Sequence, residues 1–281
     1  MGPPSYSDIG KAARDVLRKN FDLGMKFFSF KSKEGNWEYA SRIDNAFRYR
    51  NVMYGSIESS LFLKEYGVKI KEKWISKGSI SSELSAENHL IEGLTNKIKS
   101  VYNINDKKVK FNVKSKYENE YVNGKIDCNF RETLPDVEQS LVFGFQDYLA
   151  GIIVNLDSPA KKLRFVDFAF AYSISDFGFH AIITDWARTF TAGVYQRLSN
   201  TLEYAAEATW NRNESTHTWA VGCQYALDNG KKHLVKLKLD SHQRVYASLK
   251  SQLKKGVKVC VCALFNDSEE TQIGFGVEVE C

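Results

Sequence analysis

From about Met25 to the end of the chain, apolar and polar residues alternate one for one, the period of a strand whose two faces differ in character. In KVKFNVKSKYE, Val109, Phe111, Val113 and Tyr117 alternate with Lys108, Lys110, Asn112, Lys114 and Lys116. In RFVDFAFAYSI, Val166, Phe168, Phe170, Tyr172 and Ile174 oppose Asp167, Ala169, Ala171 and Ser173. Leu202, Tyr204, Ala206, Ala208 and Trp210 face away from Glu203 and Glu207, and Trp219, Val221, Cys223, Tyr225 and Leu227 oppose Gln224. Val235, Leu237 and Leu239 oppose Lys236 and Lys238; Val257, Val259, Val261, Ala263 and Phe265 oppose Lys258. No strand reads as apolar on both faces. Asn123-Gly124 and Asn229-Gly230 carry the residues of type I′ hairpin turns, with KEGN, SKG and KKG as looser turns. Pro3, Pro4, Pro135 and Pro159 all fall outside the strand-like runs, so no ladder loses a donor.

Only SYSDIGKAARDVLRKN reads as helix: Tyr6, Ile9, Ala13, Val16 and Leu17 recur at three and four, with Lys11, Arg14, Arg18 and Lys19 elsewhere on the wheel. Ser5 or Ser7 is placed to cap its start. A cationic amphipathic helix suits docking on the body of the protein, a membrane surface, or a mitochondrial presequence, and Asp8 and Asp15 argue against the last. No linker or composition break divides the rest of the chain, so residues 1–24 read as helix and hinge and residues 25–281 as one uninterrupted antiparallel meander.

Spacing predicts the strand number. About 257 residues come after the helix, and a strand of roughly 10 residues plus its turn consumes about 13 to 14, which makes some 18 or 19 strands. Closure of so wide a sheet removes both edges, and a barrel of about 16 to 18 strands is too wide for side chains to fill. Water then fills the bore, the polar face lines it, and the apolar face looks outward into lipid. A β-sandwich with its apolar faces meeting in a core has the same alternation. The absence of any further helix to cover a sheet, and an aromatic content of 13% such as interfacial girdles use, favour the barrel.

The stretch VKIKEKW bears on that choice. Val68, Ile70, Glu72 and Trp74 share one face, and Lys69, Lys71 and Lys73 the other. In a dry core a lone carboxylate costs several kcal/mol or shifts its pKa. On a lipid-facing wall a charge near the midplane costs roughly 2 to 4 kcal/mol, less for Glu than for Lys.

Composition excludes several classes. The balance of 39 Lys+Arg against 34 Asp+Glu, net +5, lacks the dense basic patches of nucleic-acid binders, so no nucleic-acid partner is expected. Cys128, Cys223, Cys260, Cys262 and Cys281 are dispersed with no C-x-x-C pair, which indicates a reduced compartment and no metal site. The sequons at Asn213 and Asn266 are idle there. Without H-E-x-x-H, P-loop or G-x-S-x-G, neither an enzyme nor a cofactor is expected. No run approaches the roughly 18 apolar residues of a membrane helix, which leaves barrels open.

The chain resembles the eukaryotic mitochondrial porins, or voltage-dependent anion channels, over essentially its whole length. The resemblance begins in PPSYSDIGKAARDVLRK, continues in EYGVKIKEKW and in GLT at Gly93, Leu94 and Thr95, and returns in LKKGVKVCVCALF. The final QIGFGVEV has the form of a mitochondrial barrel-sorting signal, with Gln272, Gly274, Val277 and Val279 in its four places. The resemblance implies the 19-stranded barrel known for that family, its first and last strands parallel and its helix folded into the pore. It implies a voltage-gated, anion-preferring diffusion pore for metabolites and nucleotides such as ATP and ADP in the mitochondrial outer membrane. A docking scaffold with secondary channel activity is the alternative.

In that reading Lys11, Arg14, Arg18 and Lys19 meet nucleotides in transit together with Gly93, Leu94 and Thr95. Lys69, Lys71, Lys73, Lys108, Lys110, Lys114, Lys116, Lys236 and Lys238 line the wall and attract anions. Glu72 matches a membrane-facing regulatory glutamate, with the bilayer, self-association and hexokinase as its expected partners. Three departures stand out: the family's glycine-rich hinge survives only as Gly24, its Gly-Leu-Lys motif ends in Thr95, and Lys255 replaces a proline. These indicate a divergent paralogue.

Overall fold

In a computed structural model, the protein is described over residues 2–46, 52–88, 91–130, 134–158, 160–228, 230, 232–266 and 271–281. Pro159, the turn residue Asn229 and part of the Asn266 sequon lie outside the described residues. Nineteen strands form one closed sheet. They are β1 (Met25–Glu34), β2 (Trp37–Ala46), β3 (Val52–Leu63), β4 (Val68–Ile75), β5 (Ser79–Glu87) and β6 (Leu94–Asn103). Next come β7 (Lys108–Glu118), β8 (Val122–Phe130), β9 (Pro135–Phe145), β10 (Tyr148–Asp157), β11 (Lys162–Ser173), β12 (Phe177–Thr184) and β13 (Thr189–Arg197). The last six are β14 (Leu202–Asn211), β15 (Thr216–Ala226), β16 (His233–Asp240), β17 (Val245–Lys254), β18 (Val257–Phe265) and β19 (Gln272–Glu280). Each pairs antiparallel with its chain neighbours, and the odd number makes the closing pair, β1 with β19, parallel, with Phe28 beside Val277 and Phe30 beside Val279. The strand number falls within the 18 or 19 expected from spacing, and the parallel seam is the one the family resemblance implies.

Three local expectations need correction. The turn expected at Asn123-Gly124 lies at residues 119–121, where the Asn119 side chain accepts from the Glu120 amide at 2.6 Å and the Asn119 amide donates to the Val122 carbonyl at 2.8 Å. Asn123 is inside β8 and buried, its Nδ2 donating to the Pro3 carbonyl at 2.9 Å, so tertiary contact with the N-terminal segment overrides the turn signal. Pro135 opens β9, opposite Phe130, at the first strand position, where its missing N–H costs least.

The helix is also shorter than its apolar pattern. A 3-10 turn at Tyr6–Asp8 is followed by a break, and α1 runs Lys11–Arg18 from Gly10, whose φ of 74° is left-handed. Neither Ser5 nor Ser7 caps α1; Ser5 Oγ donates to Asp8 at 2.6 Å. The break has a tertiary cause: a Cβ on Gly10 would lie 2.6 Å from the His180 ring.

Ile9, Ala13, Val16 and Leu17 are buried nonetheless, because α1 lies inside the barrel against β13, β14 and β15 and the 3-10 turn against β9 and β10. They pack in two patches, Ile9 with Val142, Ala169 and Ala171, and the other three with Ala205. Contrary to the sequence expectation, then, β10 is apolar on both faces near its start, with Leu149 packed inward on the Ile9 patch and Tyr148 exposed outward, while β9 contributes the single buried Val142 to an inner face that otherwise carries Asp136, Glu138 and Ser140. Small inward residues on β11 and β14 leave room for a helix, and burying Ile9, Val16 and Leu17 is worth about 1.5–3 kcal/mol each as an upper estimate.

Candidate functional site

The outer wall is apolar over most of its middle. Ile57 is 66% exposed, Trp74 59% and Phe168 50%, far more contiguous grease than a water-facing surface carries. Near one end Trp37 stacks on Tyr39 with centroids 6.0 Å apart, and near the other Phe190 stacks on Trp210 at 5.5 Å, the placement of aromatic girdles at two membrane interfaces. No helix is long and apolar enough to cross a membrane among the described residues; the strands do the crossing.

The inner wall is charged, and its charges are unevenly matched. Lys69 pairs with Glu38 at 3.0 Å, Lys71 with Glu58 at 2.7 Å and Lys73 with Glu58 at 3.8 Å. Lys114 holds Asp127 at 3.0 Å and Lys116 holds Glu118 at 2.5 Å. Lys236 and Lys238 point inward but do not line open bore. Lys236 is 2% exposed beneath α1, its Nζ donating to the Asp15 carbonyl at 2.5 Å, and Lys238 Nζ sits 4.2 Å above the Tyr246 ring. Of the nine wall lysines expected from sequence, only Lys108 and Lys110 form no ion pair among the described residues and stay uncovered. Lys97 and Lys99, on the inward face of β6, share that state and were missed, although the alternation in NKIKS marks them.

The helix cations divide. Lys11 meets Asp8 at 3.2 Å and Lys19 meets Asp15 at 3.9 Å, but both side chains are mostly exposed to the bore, where such pairs contribute little. The Asp8 carboxyl, hydrogen-bonded by Ser5 and flanked by Lys11, is held below its ordinary pKa. Arg14 donates to the Ser7 carbonyl, and Arg18 reaches Glu207 on β14. Glu207 is also 3.7 Å from His180 Nε2, and His180, 2% exposed, is wedged between Gly10 and Gly193. No sequence motif marked His180, because its partners come from β13, β14 and the helix start.

The linker after α1 is strapped to the wall. The Asn20 carbonyl accepts from Ser248 Oγ at 2.7 Å, Phe21 packs edge-on to Tyr246 at 5.9 Å, and Gly24 donates to the Ile273 carbonyl at 3.2 Å. Gly24 has φ 67°, a fixed bend rather than a free one given that bond. Gly274 has a structural duty besides its place in the sorting pattern: a Cβ there would lie 2.0 Å from the Asp22 carbonyl oxygen. Gln272 begins β19, and Val277 and Val279 face outward at the closing seam.

Gly93, Leu94 and Thr95 are not brought to the helix. Gly93 is in the turn before β6, Leu94 joins Tyr117 and Leu141 on the outer wall, and Thr95 alone faces the bore, across from Lys116. Glu72 is exposed on the outer wall with Ile70 and Trp74; Ser59 and Ser82 flank it in register, and Ser100 continues the row. The carboxylate thus sits within a polar band crossing β3 to β6. Among the described residues no His/Cys/Asp/Glu group could hold a metal, and the five cysteines are free.

The eukaryotic porin family model matches residues 2–276. A voltage-dependent anion-selective channel of Drosophila melanogaster is 28% identical over 100% of both chains. The non-selective voltage-gated ion channel VDAC2 of Xenopus laevis is 28% identical and VDAC1 of Homo sapiens 26%, each over 99% of both chains. Among solved structures, a mutant Rh. blastica porin superposes with a TM-score of 0.47 at 11% identity over 92% of this chain and 96% of that one, a likeness too loose to carry any argument. A greasy exterior, a charged bore and a match running almost from end to end lead to one conclusion: this chain belongs to the eukaryotic porins, membrane-embedded pore-forming β-barrels.

Proposed function

We propose that the chain is a voltage-gated, anion-preferring diffusion pore for metabolites and nucleotides, ATP and ADP among them, across the mitochondrial outer membrane. The relatives' names split between anion-selective and non-selective, so the preference rests on this bore's own charge. The observation that carries it is a group of inward lysines that form no ion pair among the described residues, Lys97, Lys99, Lys108 and Lys110, facing a bore that the exposed Lys11 and Lys19 narrow from the helix. A low-dielectric wall focuses such charge and raises local anion concentration. The form of QIGFGVEV supports mitochondrial sorting.

Reversal potential in a salt gradient tests the reading on protein reconstituted in planar bilayers. Wild type is expected to favour anions, and the double charge reversal Lys11→Glu with Lys19→Glu to move the potential toward cation preference. An unmoved potential would remove both residues from the constriction, and absence of large voltage-dependent steps in wild type would remove the pore itself.

The polar band around Glu72 favours a second role on the same barrel, docking of another copy or of a cytosolic protein such as hexokinase, because polar groups in hydrocarbon gain by being covered. Glu72→Gln is expected to leave single-channel conductance unchanged and to reduce the oligomers captured by crosslinking in membranes. An identical crosslinking pattern would leave the glutamate without that role.

A further inference from the structure

We propose that Glu207 sets the ion preference at the waist of the bore by dividing its carboxylate between Arg18 on the helix and His180 on the wall, so that a proton taken up by His180 releases Arg18 to passing anions. This rests on the pore reading and deepens it by naming a selectivity-determining pair and the signal that resets it.

The site is one row of the inner wall. His180 on β12, Gly193 on β13 and Glu207 on β14 stand side by side in register, with Ala171 before them on β11 and Ala220 after them on β15. Neighbouring strands lie about 4.8 Å apart, so an imidazole and a carboxylate two strands apart meet only because the residue between them has no side chain. His180 Nε2 comes within 3.7 Å of Glu207 Oε2, while Arg18 takes Oε1. That Nε2 is buried with no hydrogen-bond partner among the described residues. The carboxylate is committed to Arg18, and the imidazole stands beside it unpaired.

The other charged groups on this part of the wall are engaged elsewhere. Arg14 donates to the Ser7 carbonyl, and Asp8 meets Lys11 at 3.2 Å. Asp167 on β11 accepts from the Asp185 amide at 2.9 Å, and Glu203 on β14 meets Arg197 on β13 at 3.8 Å. Tyr195 packs against the Ala13, Val16 and Leu17 patch. On β16, Lys238 sits over the Tyr246 ring and Asp240 is held by Arg244 at 2.8 Å. His242, in the turn after β16, lines the same recess as Arg18 and Glu207 and is a second titratable imidazole there.

Histidine is the side chain whose charge changes between about pH 5 and 8. Once an imidazolium forms in the slot, position decides the contest for Glu207. The ring is wedged between Gly10 and Gly193 and does not reach water, its side chain being 3% exposed against 62% for Arg18. A buried cation depends on its partner far more than an exposed one does. Glu207 therefore turns to His180, and the Arg18 guanidinium swings into the bore, where it attracts anions.

Reversal potentials of the full chain in planar bilayers, in a potassium chloride gradient at about pH 7.5 and about pH 5.5, read the exchange on either side of the ordinary histidine pKa. The chloride-to-potassium permeability ratio of wild type is expected to rise about twofold on acidification. Carboxylates of ordinary pKa stay ionised over that window, so the rise reports imidazole. His180→Gln and Arg18→Gln should each remove at least half of it, whereas His242→Gln and His233→Gln keep it. Glu207→Gln should show the higher ratio already at the upper pH. A rise of wild-type size in His180→Gln or Arg18→Gln, or no rise in wild type that conducts, overturns the exchange. Independently of conductance, the His180 imidazole resonance of wild type in detergent is expected to shift across the same window, and to shift at lower pH in Glu207→Gln; a resonance that does not move also overturns the exchange. Protein that shows this shift but gives no conductance steps would instead overturn the pore reading and leave the exchange standing.

Discussion

A lysine at Ile57 is expected to cost about 2–4 kcal/mol of folding stability in lipid, whereas a lysine at its neighbour Ser56 is expected to cost less than about 1 kcal/mol. Ile57 is 66% exposed at the middle of β3, between Ser41 and Trp74, on the face that meets hydrocarbon. Ser56 is one residue away and points into the bore, across from Arg42. Because side chains alternate, the two substitutions place the same lysine on opposite sides of the wall. Equilibrium urea unfolding from lipid vesicles measures both, and single-channel reversal potential should show that only Ser56→Lys changes selectivity. Equal penalties would mean that lipid and water do not lie on opposite sides of this sheet.

The second large effect is expected at Gly193. A Cβ there would lie 2.2 Å from His180 Cε1, in a ring already closed off on its other side by Gly10. His180 cannot retreat without leaving Glu207, which also anchors Arg18. Gly193→Val should therefore unseat the start of α1 and free its backbone around Arg14, Arg18 and Lys19, so that trypsin cleaves there about tenfold faster, equivalent to about 1.4 kcal/mol of lost docking. Adding His180→Ala creates the room and should restore most of the protection, a coupling that two independent defects would not show. Unchanged cleavage in Gly193→Val, or a double variant as labile as the single, would show that this wedge does not seat the helix.

How far a residue's partners lie along the chain separates the features legible in the sequence from those that were not. Strand identity and facing were legible because alternation is local: Phe111, Phe168 and Trp219 all look outward, as their runs require. The helix's apolar stripe was legible for the same reason. Its length was not, because Gly10 breaks it to fit His180, some 170 residues away. The Asn123-Gly124 turn failed likewise, since Pro3 claims the Asn123 amide. Lys236 reads as a wall cation only until α1 is laid over it.

Local pattern alone dictates a sheet with one greasy and one wet face and some 18 or 19 strands, because a period of two and a turn every dozen or so residues need no distant information; the odd count and the parallel seam that comes with it belong to the closed structure. Where charge stays unneutralised is settled only in three dimensions. Whether a lysine meets a carboxylate depends on register between strands and on where the helix lies. Those contacts neutralise Lys69, Lys71, Lys73, Lys114 and Lys116, bury Lys236, and leave Lys97, Lys99, Lys108 and Lys110 facing the bore.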